Sequence, residues 1–240
     1  MPIKDRDYTV TAELLRDYRD AALANAQALL EEATLLLAHE KYARAYFLSA
    51  STIEEAGKAV QAFEGLGKNL KDPAVAQRLK LQFADHSQKV TAAFSPWLQA
   101  TPNLKDEVMN FVELMVTLKF GREASMYTDI NAERGIVITP QMQVRQKTAS
   151  DCVRLAGTVL SHVRPYAQQT QPKSTTRLQD AFFALRPSIF QKMANTDDFW
   201  YFYIAQMEGG NLALESAVTE YNDLYFSKRV LFKAESSADK

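Results

Sequence analysis

The sequence is poor in the residues that disulfides and tight turns require. Cys152 is the single cysteine among 240 residues, so no disulfide can form within one chain, which favours a reducing compartment such as the cytoplasm. Eight glycines and eight prolines are few for this length. Because these two residue types dominate turns, the shortage disfavours a many-turned β architecture and favours helices.

An excess of charge is also missing. The chain has 28 Lys and Arg against 29 Asp and Glu, a formal net charge of -1. This balance argues against a protein that coats duplex DNA by charge alone, although it allows a local basic site. What is present is ordinary for a globular protein, with 47% hydrophobic residues, which is enough to form a sizeable core.

Long apolar runs are absent as well. No stretch of about 18 apolar residues occurs, and Asp5, Arg6 and Asp7 interrupt the N-terminal region where a signal peptide would have its apolar core. We therefore expect a cytoplasmic protein that has no contact with a membrane.

Hydrophobic periodicity is helical along almost the whole chain, which predicts an all-α helical bundle. The β-branched residues 136–139 form the only plausible strand, in a short connector. The predicted helices run from about 11 to 38, from 42 to 66, from 72 to 93, from 104 to 129 and from 140 to 166, followed by further helices rich in aromatic residues. We predict a bundle over 1–167 and an aromatic-rich helical extension, packed on that bundle, over 168–240.

Ionisable residues interrupt the apolar stripes of three predicted helices. The second helix is apolar nearly all round, which is typical of a central, buried helix. Each interruption is costly unless the charge is paired. If the three helices pack together, one cluster could form from Glu54, Glu55, Lys58, His86, Lys89, Arg122 and Asp129.

Three segments with these residues resemble the AbiV family of abortive infection proteins. They resemble that family's second-helix motif, its His-x-x-Lys segment and its Arg-x-x-x-x-Tyr-x-Asp segment. The segments are Tyr42-Ala43-Arg44-Ala45 with Ser51-Thr52-Ile53-Glu54-Glu55-Ala56-Gly57-Lys58, then Phe83-Ala84-Asp85-His86-Ser87-Gln88-Lys89, then Arg122-Glu123-Ala124-Ser125-Met126-Tyr127-Thr128-Asp129. The resemblance covers about residues 10–165.

The resemblance implies a HEPN-like helical bundle that often dimerises, and a role in bacterial defence against phage. Many members of the HEPN superfamily are metal-independent ribonucleases, so the resemblance implies an endoribonuclease that acts on cellular RNA as a homodimer. A phage or host protein is the expected regulator.

The usual ribonuclease motif of that superfamily has an arginine, four to six residues, and then a histidine. Here Arg78 and His86, and also Arg154 and His162, are separated by seven residues. We therefore expect the charged cluster to carry any catalysis, with no metal and no cofactor.

In that case, His86 is the best acid or base, because the reference pKa of histidine lies near neutrality. Glu54 or Glu55 would orient it, and Asp129 would hold Arg122. The phosphate would be held by cations: Lys58, Lys89 and Arg122. Tyr127 and Arg44 are the predicted substrate-binding residues, with Tyr127 suited to stack on a base.

Two other functions are compatible with the same residues. The charged cluster would fix the bundle or dock a partner in a non-catalytic protein-interaction module. A metalloprotein would use Glu54, Glu55, His86 and Asp129 as ligands, but the Glu-x-x-His motif of di-iron bundles does not occur in the sequence.

Overall fold

The structure is a computed structural model that describes residues 8–101, 113–115, 117–118, 121–211 and 213–232. The all-α prediction is confirmed, because helices dominate and the described strands are two short ones. The chain divides into two compact units. We call residues 10–66 and 81–172 the bundle unit, and residues 8–9, 67–80 and the described residues from 173 to 232 the C-terminal unit.

The first two helices of the bundle unit form a tightly packed pair. Helix α1 spans Ala12–Ala38 and begins where Thr11 accepts a hydrogen bond from the Leu14 backbone N–H at 3.1 Å. Glu40 has a positive φ in the turn that follows. Helix α2 spans Tyr42–Gly65 and is buried on most of its faces, as its all-round apolar pattern predicts.

The predicted third helix is in fact two helices. Helix α3 spans Pro73–Ala84 and helix α4 spans His86–Ala100. They separate because Asp85 accepts a hydrogen bond from the Gln88 backbone N–H at 3.1 Å, which makes it the N-cap of α4. Pro96, predicted to follow the helix, lies within α4. The break places His86 at the first position of a new helix.

The predicted fourth helix lies partly outside the described residues, including its start at Leu104 and its members Val108 and Phe111. The described parts from 113 to 126 are helical, and we call this segment α5. The prediction that the helix continues to Asp129 is wrong. The chain leaves the helix after Met126, and Asp129–Asn131 forms strand β1, which pairs antiparallel with β2, Ile136–Ile138.

The rest of the bundle unit closes the core around α2. The predicted helix from 140 to 166 is divided into α6, Pro140–Gln143, and α7, Gln146–Ala167, because Val144 is in extended backbone between them. Helix α7 buries a stripe at helical spacing that includes Ala149, Cys152 and Val159. Together α1, α2, α4 and α7 form one hydrophobic core with α2 at its centre.

The C-terminal unit has a core of its own. Its helices are α8, Arg177–Ala184; α9, Pro187–Ala194; α10, Asp197–Glu208; and α11, Leu214–Tyr221, followed by a π-helical turn, Asn222–Phe226. Aromatic rings dominate this core: Phe199, Phe202, Tyr221, Tyr225 and Phe232. The aromatic run 199–203 is buried only in part, since Trp200 and Tyr201 are exposed. Residues 233–240 lie outside the described residues.

Among the described helices, none combines the length and hydropathy needed to cross a lipid bilayer.

Candidate active site

A buried carboxylate lies at the centre of the charged cluster in the bundle unit. Glu54 is on α2, and its two carboxylate oxygens face cationic groups from α4 and α5. His86 Nδ1 is 2.7 Å from Oε2, Lys89 Nζ is 3.8 Å from the same oxygen, and Arg122 Nε is 3.1 Å from Oε1. Three helices that are distant in sequence thus bring their charges together at one side chain.

His86 is the member of this cluster that reaches solvent. Its side chain is 60% exposed, although its Nδ1 lies against the buried Glu54 carboxylate. A carboxylate at Nδ1 favours the tautomer in which Nδ1 carries the proton, which leaves Nε2 with a lone pair. This is the arrangement in which an imidazole takes a proton from a substrate while its orientation is fixed from behind.

Arg122 completes the other side of the carboxylate. Its Nε is 3.1 Å from Glu54 Oε1, but the N–H is not aligned with a hydrogen-bond acceptor among the described residues. We therefore treat the contact as an ion pair without a hydrogen bond from Nε. The Arg122 side chain is 26% exposed, although its Nε is buried.

Lys89 is buried and acts on the site through Glu54. Burial lowers the pKa of Lys89 from its ordinary value of 10.5, and the charges of Lys58 and Arg122 lower it further. Glu54 and Glu55 act in the opposite direction and favour the charged lysine. With its side chain only 7% exposed, Lys89 is placed to balance the carboxylate rather than to meet a substrate.

Gly57 sets the distance between the helices that carry the cluster. A Cβ built at this position would lie 1.8 Å from the Lys89 backbone oxygen, closer than any real contact. The missing side chain therefore allows α4 to approach α2 one helical turn after Glu54, which brings His86 and Lys89 to the carboxylate. Gly57 was not among our predicted site residues, but a glycine in the interior of an alanine-rich helix is a sequence signal for such an approach.

Gly121 does the same for α5. A Cβ there would lie 2.1 Å from the Tyr46 hydroxyl oxygen. Tyr46 is buried on α2, and its hydroxyl donates to the Thr117 backbone oxygen at 3.4 Å. Burial raises the pKa of the Tyr46 phenol, which therefore stays protonated as a donor. This packing holds α5 against α2 at Gly121, and Arg122 is the next residue on α5.

The other predicted residues are not among the groups that pair with Glu54. Glu55 and Lys58 form an ion pair of their own on α2 at 2.5 Å. Tyr127 is exposed just after α5, and Asp129, at the start of β1, accepts a hydrogen bond from the Ile130 backbone N–H at 2.7 Å. Arg44 is exposed ten residues before Glu54, about 15 Å away along the axis of α2. The structure thus gathers Glu54, His86, Lys89 and Arg122.

A cleft of about 340 Å³ opens beside this group. Glu54, His86 and Arg122 line one part of it. The rest combines apolar side chains with a few polar ones: Ala50, Val90, Met115, Leu118, Ser87, Thr91 and Glu123. Its size and largely apolar lining are those of a small-ligand site. Ser87, Thr91 and Glu123 were missed by sequence reasoning, because as exposed helical residues they do not interrupt an apolar stripe.

The cluster has the composition of an anion site more than that of a metal centre. Across the ranges that the structure describes, His, Cys, Asp and Glu do not gather in threes, whereas positive groups face both oxygens of Glu54.

The second histidine with an upstream arginine lies outside this cluster. His162 on α7 stacks on Trp97 of α4, and Arg154 pairs with Asp151 at 2.8 Å. Cys152 is buried, and burial raises the pKa of its thiol to about 12.

Comparison with known proteins agrees with the resemblance of the motifs. The chain matches the family model HEPN_AbiV, described as AbiV, over residues 14–161. That range contains every residue of the Glu54 cluster and of the adjoining cleft. Neither a curated protein nor a solved structure matches the chain.

Proposed function

The chain belongs to the AbiV family of HEPN-type abortive-infection proteins, and on that basis we propose that it is an endoribonuclease that cleaves cellular RNA without a metal ion. The observation that carries the proposal is the Glu54–His86 contact of 2.7 Å, which fixes an exposed imidazole at the mouth of a cleft beside Arg122. Membership of this family establishes the abortive-infection class of the protein, whereas RNA cleavage is what we propose.

In the proposed reaction, His86 Nε2 accepts the proton of a ribose 2′-hydroxyl. The 2′-oxygen then bonds to the adjacent phosphorus, and the bond from phosphorus to the 5′-oxygen breaks. The 5′-oxygen takes a proton from solvent as it leaves, and His86 then returns its proton to solvent. The products are a 2′,3′-cyclic phosphate and a 5′-hydroxyl. Glu54 stabilises the imidazolium that forms, as a carboxylate behind a catalytic histidine does.

Arg122 is the group that stabilises the extra charge on the phosphorane. Its side chain lines the cleft, and its Nε lies on the other oxygen of Glu54, so it is held next to His86. A fixed cation in a cleft with apolar walls is worth more than the same cation in water. Lys58, Tyr127, Arg44 and Asp129 remain predicted contacts to the substrate or to Arg122.

Purified protein incubated with tRNA and with total RNA tests the proposal. We expect fragments to form equally well with and without EDTA, and cleavage to fall about a hundredfold or more in Arg122→Ala. Arg154→Ala is the matched control, since Arg154 is an exposed, paired arginine outside the cleft. Unimpaired cleavage in Arg122→Ala, or loss of cleavage with EDTA, would reject the mechanism.

A non-catalytic interaction module is the second candidate, and the β1–β2 hairpin favours it. Ile130 and Val137 pair across the two strands, and both are largely exposed. Exposed apolar side chains in contiguous positions mark protein-binding surfaces. Absence of RNA cleavage by wild-type protein, together with a partner bound at this hairpin, would make this the better description.

The same hairpin supports the proposal of a homodimer. We expect light scattering to give twice the chain mass for wild-type protein and a single chain mass for Val137→Lys. A monomer in both cases would reject the dimer and leave the hairpin to a phage or host regulator.

A further inference from the structure

The cleft beside His86 has a part that the cleavage chemistry does not use. Glu54, His86 and Arg122 are three of its lining residues, and the others include the apolar side chains of Val90 and Met115. From this geometry we infer that the cleft binds one unpaired nucleobase of a single-stranded RNA, on the ribose whose 2′-hydroxyl faces His86. This inference rests on the proposed function, because it takes the ribose to lie at His86.

Connectivity supports this placement of the base. In RNA the base is joined to the same ribose that carries the reacting 2′-hydroxyl. His86 itself lines the cleft, so a ribose at the His86 ring has the cleft next to it. The volume of about 340 Å³ lies at the lower end of the range for sites that enclose small ligands.

The lining suits the flat faces of a base. Leu118 is buried at the cleft wall, and Val90 and Met115 are partly buried beside it. Apolar walls favour a heteroaromatic ring over a sugar or a phosphate, and a methionine sulfur makes favourable contacts with aromatic rings. Glu54, His86 and Arg122 are then left to the sugar and phosphate of the RNA backbone.

Glu123 gives the cleft a polar preference. It is an exposed carboxylate on the cleft lining, and a carboxylate only accepts hydrogen bonds. Guanine presents two neighbouring N–H donors on its Watson–Crick edge, whereas uracil presents one donor between two carbonyls. The cleft therefore favours guanine over uracil.

A base inside a duplex cannot enter such a cleft without leaving its stack. The inference therefore predicts that the protein binds single-stranded RNA better than the matching duplex. Sequence-specific RNA recognition generally uses unpaired bases whose edges are free, which agrees with this selectivity.

The test uses wild-type protein and RNA oligonucleotides in which 2′-fluoro groups replace the 2′-hydroxyls, so that binding is measured without cleavage. We expect fluorescence anisotropy to show about tenfold tighter binding of a guanine-containing single strand than of its duplex. Replacement of the guanines by uracils should weaken binding severalfold, and Glu123→Gln should reduce that difference.

Thr91→Trp adds a large side chain to the cleft lining and leaves the proposed catalytic residues unsubstituted. Thr91 is exposed, and its hydroxyl donates to the Ser87 backbone oxygen. Thr34→Trp is the matched control, since Thr34 is an exposed helical threonine whose hydroxyl donates to Leu30 in the same way. We expect about tenfold weaker binding in Thr91→Trp and little change in Thr34→Trp. Glu32→Gln is the control for Glu123→Gln, because Glu32 is an exposed glutamate on α1.

Equal binding of single strand and duplex, or equal binding by Thr91→Trp and wild type, would overturn the inference. Cleavage of unmodified RNA is scored separately. Selective binding without cleavage would reject the nuclease and retain the base site. Cleavage together with equal binding by Thr91→Trp and wild type would reject the base site and retain the nuclease.

Discussion

Buried carboxylates occur in both units of the protein, but their partners differ. Asp198 and Asp180 of the C-terminal unit are 7% and 5% exposed, and Glu54 of the bundle unit is 7% exposed. Asp198 accepts from the Tyr221 hydroxyl at 2.8 Å and from the Phe232 backbone N–H at 2.9 Å, and Asp180 accepts from the Asn69 backbone N–H and the Thr175 hydroxyl. Glu54 instead faces three ionisable side chains.

The difference separates a structural carboxylate from a candidate functional one. Neutral donors such as those of Tyr221 and Phe232 hold a carboxylate in place and close its surroundings. Ionisable partners that reach solvent, as His86 and Arg122 do, leave a route by which protons and anions can arrive. Burial of a carboxylate is therefore a weaker indication of function than the identity of the groups that compensate it.

The strongest test of this contrast is His86→Ala. We expect RNA cleavage to fall by about a hundredfold to ten-thousandfold, the usual contribution of a general acid–base group. Stability should change little, because the ring is mostly exposed. His162→Ala, which removes a histidine on α7, is the control and should retain activity. Cleavage rates and unfolding curves for both variants measure the effect, and full activity in His86→Ala would contradict the assignment.

Gly57→Ala tests whether the helix approach builds the cluster. Because the new Cβ would meet the Lys89 backbone oxygen, we expect the free energy of unfolding to fall by about 1–3 kcal/mol and cleavage to fall with it. At Gly157 the nearest contact of a new Cβ is Leu30 Cδ2 at 3.9 Å. Gly157→Ala should therefore be neutral or stabilising by up to about 1 kcal/mol. Urea unfolding that is equal for the two variants would contradict the argument.

Asp198→Ala probes the other side of the comparison. Burial and the hydrogen bond to Asp198 raise the pKa of the Tyr221 hydroxyl to about 12. Loss of the carboxylate leaves this hydroxyl without the Asp198 acceptor. We expect a loss of about 1–3 kcal/mol in unfolding free energy and no change in cleavage per folded molecule. Asp197→Ala, at an exposed acid in the same helical turn, should change stability by about 0.5 kcal/mol or less. A specific loss of cleavage in Asp198→Ala would remove the distinction between the two units.

The smallest expected effect is a pH dependence from Lys89. Its folded-state pKa is lowered below 10.5, mainly by burial, so between the two values the unfolded chain binds more protons than the folded one. Stability should therefore rise with pH as it approaches 10.5 from below, relative to a Lys89→Met variant. Urea unfolding of both proteins over that range isolates the contribution of Lys89. A difference that falls with pH would contradict the sign.

Much of the bundle follows from its sequence because local signals agree with the packing. The stripe that predicts a helix from about 11 to 38 corresponds to α1, which ends at Ala38. The predictions fail where a single side chain overrides the pattern, as at Asp85, or where a short hairpin replaces the end of a helix, as at Asp129. The association of residues 67–80 with the chain after 173 depends on contacts between distant segments, which periodicity does not encode.

The candidate site was predictable as a set of misplaced charges and not as a geometry. Glu54, His86 and Arg122 were conspicuous because they interrupt apolar stripes. That His86 begins α4, and that Gly57 allows α4 to approach, depend on tertiary packing. The rim of the cleft, such as Thr91, has no sequence signature.

The chemical nature of the RNA ends tests the central claim most directly. Mass spectrometry of fragments from tRNA treated with wild-type protein in EDTA should show 2′,3′-cyclic phosphates and 5′-hydroxyls, because His86 activates the 2′-hydroxyl. Fragments that carry 3′-hydroxyls and 5′-phosphates, or cyclic phosphates that form equally with His86→Ala, would contradict the account.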